Sequence, residues 1–271
     1  MKVFELHFNP KNKEEKAMAS FVREPANVYE KRLGSLYMAA ELNQALPQNA
    51  NFLNNLALAI QKEYYSAGLK KSCQASLEDS LKKANEFLDI EVRKGNVSWL
   101  GNLNFAAVLL KDSALSFTKV GDIKIFLIRG NELLEISQNL EIQDINPYPL
   151  KIFGSLASGK LSQNDKIVIV NGKNENLLND LSQVSDEKGL KEFIKTKKQI
   201  LSETSGICLL LVADQEKEAA KLSFQQTFKL PVLPNPMSKI EKFNVSSGLG
   251  KKIVLVLVLA SVLFLSFLLF R

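Results

Sequence analysis

The sequence predicts an α+β protein in which antiparallel sheets pack on each other with helices outside, followed by one C-terminal membrane-spanning helix. Three observations carry this. Short β-branched and apolar runs alternate with period two and are separated by tight turn signals. Helical periodicity interrupts them twice, each time as two helices in succession. The chain then ends on a stretch from Ile253 to Phe270, IVLVLVLASVLFLSFLLF, that carries no charge.

Taken in order, Lys2 to Phe8 and Ala17 to Val22 alternate as strands around the polar turn Asn9 to Glu15. After a loop with Pro25 and Asn27, Gly34 to Ala40 reads as a buried strand that ends at Glu41-Leu42, before a polar loop with Pro47. Asn51 is placed to cap a helix with the apolar face Phe52, Leu56, Ile60 and Tyr64. Ser76 with Asp79 forms a capping box for the next, through Leu77, Leu81, Ala84 and Leu88. Strands follow at Leu103 to Leu110, Ala114 to Val120, Lys124 to Ile128, Leu133 to Ile136 and Lys166 to Val170. Helices over Glu175 to Leu181 and Asp186 to Leu201 precede a last strand, Ile207 to Val212. Beyond it the pattern stops, and Pro231, Pro234, Pro236, Ser246, Ser247, Gly248 and Gly250 mark a spacer. The division is a domain over 1–214, a juxtamembrane linker over 215–251 and a transmembrane helix over 252–270.

Ile253 to Phe270 spans about 27 Å as a helix, close to the hydrocarbon thickness of a bilayer. Its two serines can bond back to their own helix carbonyls. Lys239, Lys242, Lys251 and Lys252 precede the span and only Arg271 follows it, which predicts a single-pass protein of the cell membrane with its N-terminal domain in the cytoplasm. MKVFELHF has no apolar core of the signal-peptide kind. The +6 charge lies on lysines interleaved with glutamates along helices, so nucleic acid is not an expected partner. Cys73 and Cys208 are far apart and in no Cys-x-x-Cys arrangement, which fits a reducing compartment and indicates neither a disulfide framework nor a thiolate zinc site. Cys208 lies in an apolar run and reads as a core thiol, Trp99 as a core anchor. His7 is the only histidine, so most histidine-dependent catalysis is excluded.

The stretch KVGDIKIFLIRGNELLEIS, Lys119 to Ser137, reads as two strands joined at Arg129-Gly130-Asn131, entered through a turn at Gly121-Asp122. Asp122 is either a metal ligand at a strand turn or an Asx-type turn residue. With the element order, this stretch resembles the V-G-D-S-R-x-Y-L-x-R-x-G-x-L hairpin of the PPM (type 2C) metal-dependent protein serine/threonine phosphatases, through Val120, Gly121, Asp122, Leu127, Arg129 and Leu133. The strand Ser162 to Val170 and the strand Ser205 to Val212 follow in the family's order, and the resemblance covers roughly Val3 to Val212. It implies a four-layer α-β-β-α sandwich whose cleft holds two Mg²⁺ or Mn²⁺ ions on aspartates, with helix pairs flanking two antiparallel sheets.

The metal positions of the family are altered. Its first Asp-Gly corresponds to Glu41-Leu42, its second to Asn171-Gly172, and its Asp-Asn-Ile-Thr to Ser205-Gly206-Ile207-Cys208. Glu41 and Asp122 are the remaining candidate ligands, with Asn171 and Ser205 at degenerate positions. Two close divalent ions need several carboxylates to offset their repulsion, and a neutral amide or hydroxyl does not replace one. Arg23, in a stretch like the arginine-containing segment ahead of the family's first Asp-Gly strand, is the candidate phosphate binder through its guanidinium fork. The expectation is a pseudophosphatase in signalling, without a cofactor, that binds a phosphoprotein or regulatory protein. The alternatives are a divergent active phosphatase using Glu41 and Asp122 with Mg or Mn, and a structural tether whose cleft is filled by side chains such as Leu42.

Overall fold

In the computed structural model, residues 1–8, 15–68, 70–138, 140, 151–171 and 177–213 are described. Their strands are β1 (Lys2–Phe8), β2 (Lys16–Arg23), β3 (Ser35–Asn43), β4 (Leu103–Lys111), β5 (Ala114–Val120), β6 (Ile123–Arg129), β7 (Glu132–Glu135), β8 (Ala157–Lys160), β9 (Lys166–Asn171) and β10 (Gly206–Val212). They form two five-stranded sheets, in the orders β1-β10-β9-β6-β7 and β2-β3-β4-β5-β8. Every pairing within them is antiparallel.

Period-two alternation sorts the apolar side chains into three layers. On β3, Leu36, Met38, Ala40 and Leu42 face one way, against the helices α2 (Phe52–Tyr65) and α3 (Cys73–Arg93). Tyr37 and Ala39 face the other way and meet Ile125, Ile167, Ile169, Leu209 and Leu211 of the first sheet. The outer side of that sheet, through Val168, Val170, Cys208 and Leu210, packs on α4 (Leu178–Leu181) and α5 (Glu187–Thr196), with Ile200 of α6 (Lys198–Glu203) against the same cluster. The result is helices, sheet, sheet, helices, as the resemblance implies.

Several local expectations change. The third strand does not end at Ala40: it runs through Asn43, because Glu41 pairs with Met18 and Asn104, and Leu42 with Ala17 and Leu103. Leu42 consequently lies in the core under α2 and α3 and does not fill a cleft between the sheets. The second long helix begins one turn earlier than Ser76, at Ser72, whose hydroxyl accepts from the Ala75 N–H at 3.1 Å; Ser76 instead bonds back to the Ser72 carbonyl. Asn51 precedes α2 without a side-chain capping bond. The stretch after Asn27 contains a short helix, α1 (Val28–Lys31), capped by the Asn27 side chain. Residues 186–201 make two helices, since the backbone at Lys197 leaves helical geometry. β8 carries little apolar signal, and it escaped the sequence reading for that reason. Trp99 is buried, stacked on Phe52 with ring centroids 5.9 Å apart. The turn Asn9 to Glu15 lies almost wholly outside the described residues, and the linker and the 252–270 span lie entirely outside them. Among the described residues no helix is long and apolar enough to cross a membrane.

Candidate functional site

The rows of side chains that point between the sheets change character at one end. On β3 the row Tyr37, Ala39 continues to Glu41, and on β4 the row Leu110, Val108, Ala106 continues to Asn104. Across from them, Ile167 and Ile169 of β9 continue to Asn171, and Leu211, Leu209 and Ile207 of β10 lead to Ser205. On the edge strand β2, Met18 leads to Lys16, which pairs with Asn43. All five polar residues close the same end of the inter-sheet layer, and Glu41, Asn104, Asn171 and Ser205 are buried.

Glu41 is at the centre. Its Oε1 accepts from Asn171 Nδ2 at 2.7 Å, a bond that joins the two sheets, and lies 3.2 Å from Lys16 Nζ. The Lys16 side chain is 4% exposed and that of Glu41 fully covered, so the pair is a buried one whose charges are screened little by water. The second carboxylate oxygen, Oε2, is buried and has no hydrogen-bond partner. Lys16 is the residue that the sequence reading missed. Its signal was present: it sits in phase with Met18 on a strand whose inward row ought to be apolar.

Asp122 reaches the same end of the fold, because Ile123 pairs with Asn171. Its carboxylate is on the exposed side of the turn, however, and the bond that fixes the turn runs from the Asp122 N–H to Asn104 Oδ1 at 2.7 Å. Gly121 has φ +73°, and a Cβ there would stand 2.3 Å from Asn104 Oδ1 and 2.6 Å from the Leu103 carbonyl. Gly121→Ala is therefore expected to destabilise the chain by about 2 kcal/mol or more, measured by denaturant unfolding.

Arg23 is not with these residues. It lies at the other end of β2, seven positions or about 23 Å of strand from Lys16. There its guanidinium contacts Glu30 at 3.3 Å and lies over the Tyr65 ring, while its carbonyl accepts from the Tyr65 hydroxyl. A half-exposed pair of this kind contributes little, so Arg23→Ala is expected to change stability by less than about 1 kcal/mol in the same measurement. His7 Nε2 bonds Ser20 Oγ at 2.7 Å, and that hydroxyl also donates to Glu5, which ties the edge strands of the two sheets together. Cys208 is fully buried and burial pushes its thiol up to about 12, which makes it inert as a nucleophile.

The donor set decides what this end can bind. Of the four positions compared with the family's metal aspartates, only Glu41 and Asp122 carry a carboxylate, and Glu41 already faces an ammonium. Among the described residues, no group of three or more His, Cys, Asp or Glu side chains is arranged to hold a metal ion. A divalent ion beside Glu41 would meet the Lys16 charge at short range with little compensating oxygen. The described residues at this end do not fit the pair of ions that the resemblance implies.

No family model and no curated relative matches the chain. Solved structures do. The serine/threonine phosphatase Stp1 from Staphylococcus aureus is 14% identical, over 79% of this chain and 94% of that one, with a TM-score of 0.54. The serine/threonine phosphatase of S. agalactiae is 13% identical over 79% and 98%, with a TM-score of 0.54. The catalytic domain of the serine/threonine protein phosphatase PstP, solved with two manganese ions, is 12% identical over 79% and 97%, with a TM-score of 0.52. Identities this low speak for the fold alone, and by layers, strand order and these neighbours the chain has the fold of the PPM-type serine/threonine phosphatase catalytic domains.

Proposed function

We propose that the chain is a pseudophosphatase: a binding or regulatory module on the phosphatase fold, held at the cytoplasmic face of a membrane by residues 252–270, that engages a phosphoprotein or a regulatory protein without hydrolysing it. The observation that carries this reading is the buried Lys16–Glu41–Asn171 cluster, which stands at two of the positions compared with metal-bridging aspartates. Hydrolysis in this fold class needs a water activated by divalent ions, and a carboxylate neutralised by lysine is a poor ligand for them. The membrane part rests on the uncharged C-terminal stretch and the lysines ahead of it.

Hydrolysis of p-nitrophenyl phosphate and of a phosphopeptide by the purified full-length chain tests the reading. The rate in millimolar Mn²⁺ or Mg²⁺ is expected to equal that in chelator. A metal-dependent rate that disappears on Asp122→Ala, an exposed position, would establish the active-phosphatase alternative instead. For the tether, the chain is expected to leave membranes with detergent and not with alkaline carbonate, and to become extractable by carbonate once 252–270 is deleted.

A further inference from the structure

We infer that the Lys16 ammonium is a built-in cation, fixed to β2, and that removing it converts the Glu41–Asn171 end of the inter-sheet layer into a binding site for a small free cation. The inference goes beyond the absence of hydrolysis: it states what holds this end of the fold together and what ligand class the site takes once its own occupant is gone.

The geometry is specific. Glu41 is a fully covered carboxylate on β3 of one sheet, and Asn171 is a covered amide on β9 of the other. Their bond crosses between the sheets, while Lys16 comes in from the edge strand with its ammonium 3.2 Å from the oxygen that Asn171 also uses. Burying a carboxylate without a counter-charge is costly. Here the chain supplies that charge by a covalent route, through a lysine on the same strand as Met18 whose side chain is 4% exposed. One carboxylate oxygen, Glu41 Oε2, keeps an unused acceptor in the buried layer. Shortening Lys16 to alanine leaves Oε1 facing the volume of an ammonium, on a carboxylate whose second oxygen is also free to accept. Such a space takes a monovalent ammonium, and with waters a divalent ion, whose binding then stabilises the fold by mass action.

The test is thermal unfolding of the full-length chain in detergent, with and without methylammonium or Mn²⁺, against tetramethylammonium at equal ionic strength. The wild type is expected to show the same Tm in all of them. Lys16→Ala is expected to melt on the order of 10 °C lower, and to recover several degrees in millimolar Mn²⁺ or in high methylammonium, with no recovery in tetramethylammonium. A Lys16→Met/Glu41→Gln chain, which lacks both charges, is expected to stay folded and to be indifferent to all three, and it keeps the test decisive if Lys16→Ala does not fold. A wild-type Tm that rises with Mn²⁺, a Lys16→Ala chain that melts like the wild type or is not rescued, or a double variant that still responds to cations would each overturn the inference. The hydrolysis assay is read separately: a wild-type chain without metal-dependent rate whose Lys16→Ala variant is not rescued refutes the built-in cation and leaves the pseudophosphatase reading standing.

Discussion

Glu41→Ala is expected to lower the stability of the folded chain by about 3–5 kcal/mol, because it removes the buried carboxylate that faces the Lys16 ammonium and accepts the bond from Asn171 of the other sheet. For a domain of this size that is roughly 6–20 °C in Tm. Glu41→Gln keeps the shape and the bond to Asn171 but not the charge, and its loss should be nearly as large. Asn171→Ala removes one neutral donor to the carboxylate and should cost about 1–2 kcal/mol. Thermal unfolding of the three variants at neutral pH therefore ranks the ion pair against the hydrogen bond. A loss for Asn171→Ala as large as that for Glu41→Ala, with Glu41→Gln close to the wild type, would mean that the inter-sheet bond, and not the charge, dominates.

The second large effect is at Asp165, in the turn before β9. This residue is 2% exposed; its carboxylate accepts from Arg129 Nε at 3.0 Å and Nη2 at 2.7 Å, and from the Ser162 N–H at 2.6 Å. Burial alone would raise its pKa, but the Arg129 fork and the Ser162 N–H outweigh burial and hold it below the ordinary 3.8. Asp165→Ala is expected to cost about 3 kcal/mol at pH 7, a value discounted because half of the Arg129 side chain is in solvent. The sign with pH follows from the depressed value. The unfolded chain takes up this proton first, so the contribution is complete above the ordinary carboxylate range and is lost as pH falls through the folded value. Denaturant unfolding of wild type and Asp165→Ala between pH 7 and 3 should show the gap between them closing below about pH 4.

Arg129 and Asp165 also illustrate what the sequence made visible. Arg129 stands in the hairpin stretch and Asp165 just ahead of the Lys166 strand, yet their pairing spans 36 residues and links different segments, which no local pattern reports. Strand positions were legible because both faces of most strands are buried and apolar, and layer order followed from where the helices interrupt them. Boundaries were less so. The third strand looked finished at Ala40 because Glu41 is charged, and a local reading has no way to know that Lys16, 25 positions earlier, arrives beside it through the β2–β3 register. The same blindness made Leu42 seem to enter the cleft, when one more residue of strand turns it to the helix side. Asn104, which holds the Gly121-Asp122 turn, was invisible for a comparable reason: an asparagine in an apolar strand carries its meaning only once β4 and β5 are paired.

The first strand of the domain pairs along its whole length with the last one, Lys2 with Val212 through Phe8 with Gly206, and β10 also holds β9 on its other side. A nascent chain cannot complete this sheet until its C-terminal strand has been made, so β1 waits through the synthesis of some two hundred residues. Completion of this sheet is thus tied to the synthesis of β10. The late strand is also an interior one, clamped by neighbours on both sides, so tension applied from beyond Val212 would have to shear two ladders at once and could not peel an edge.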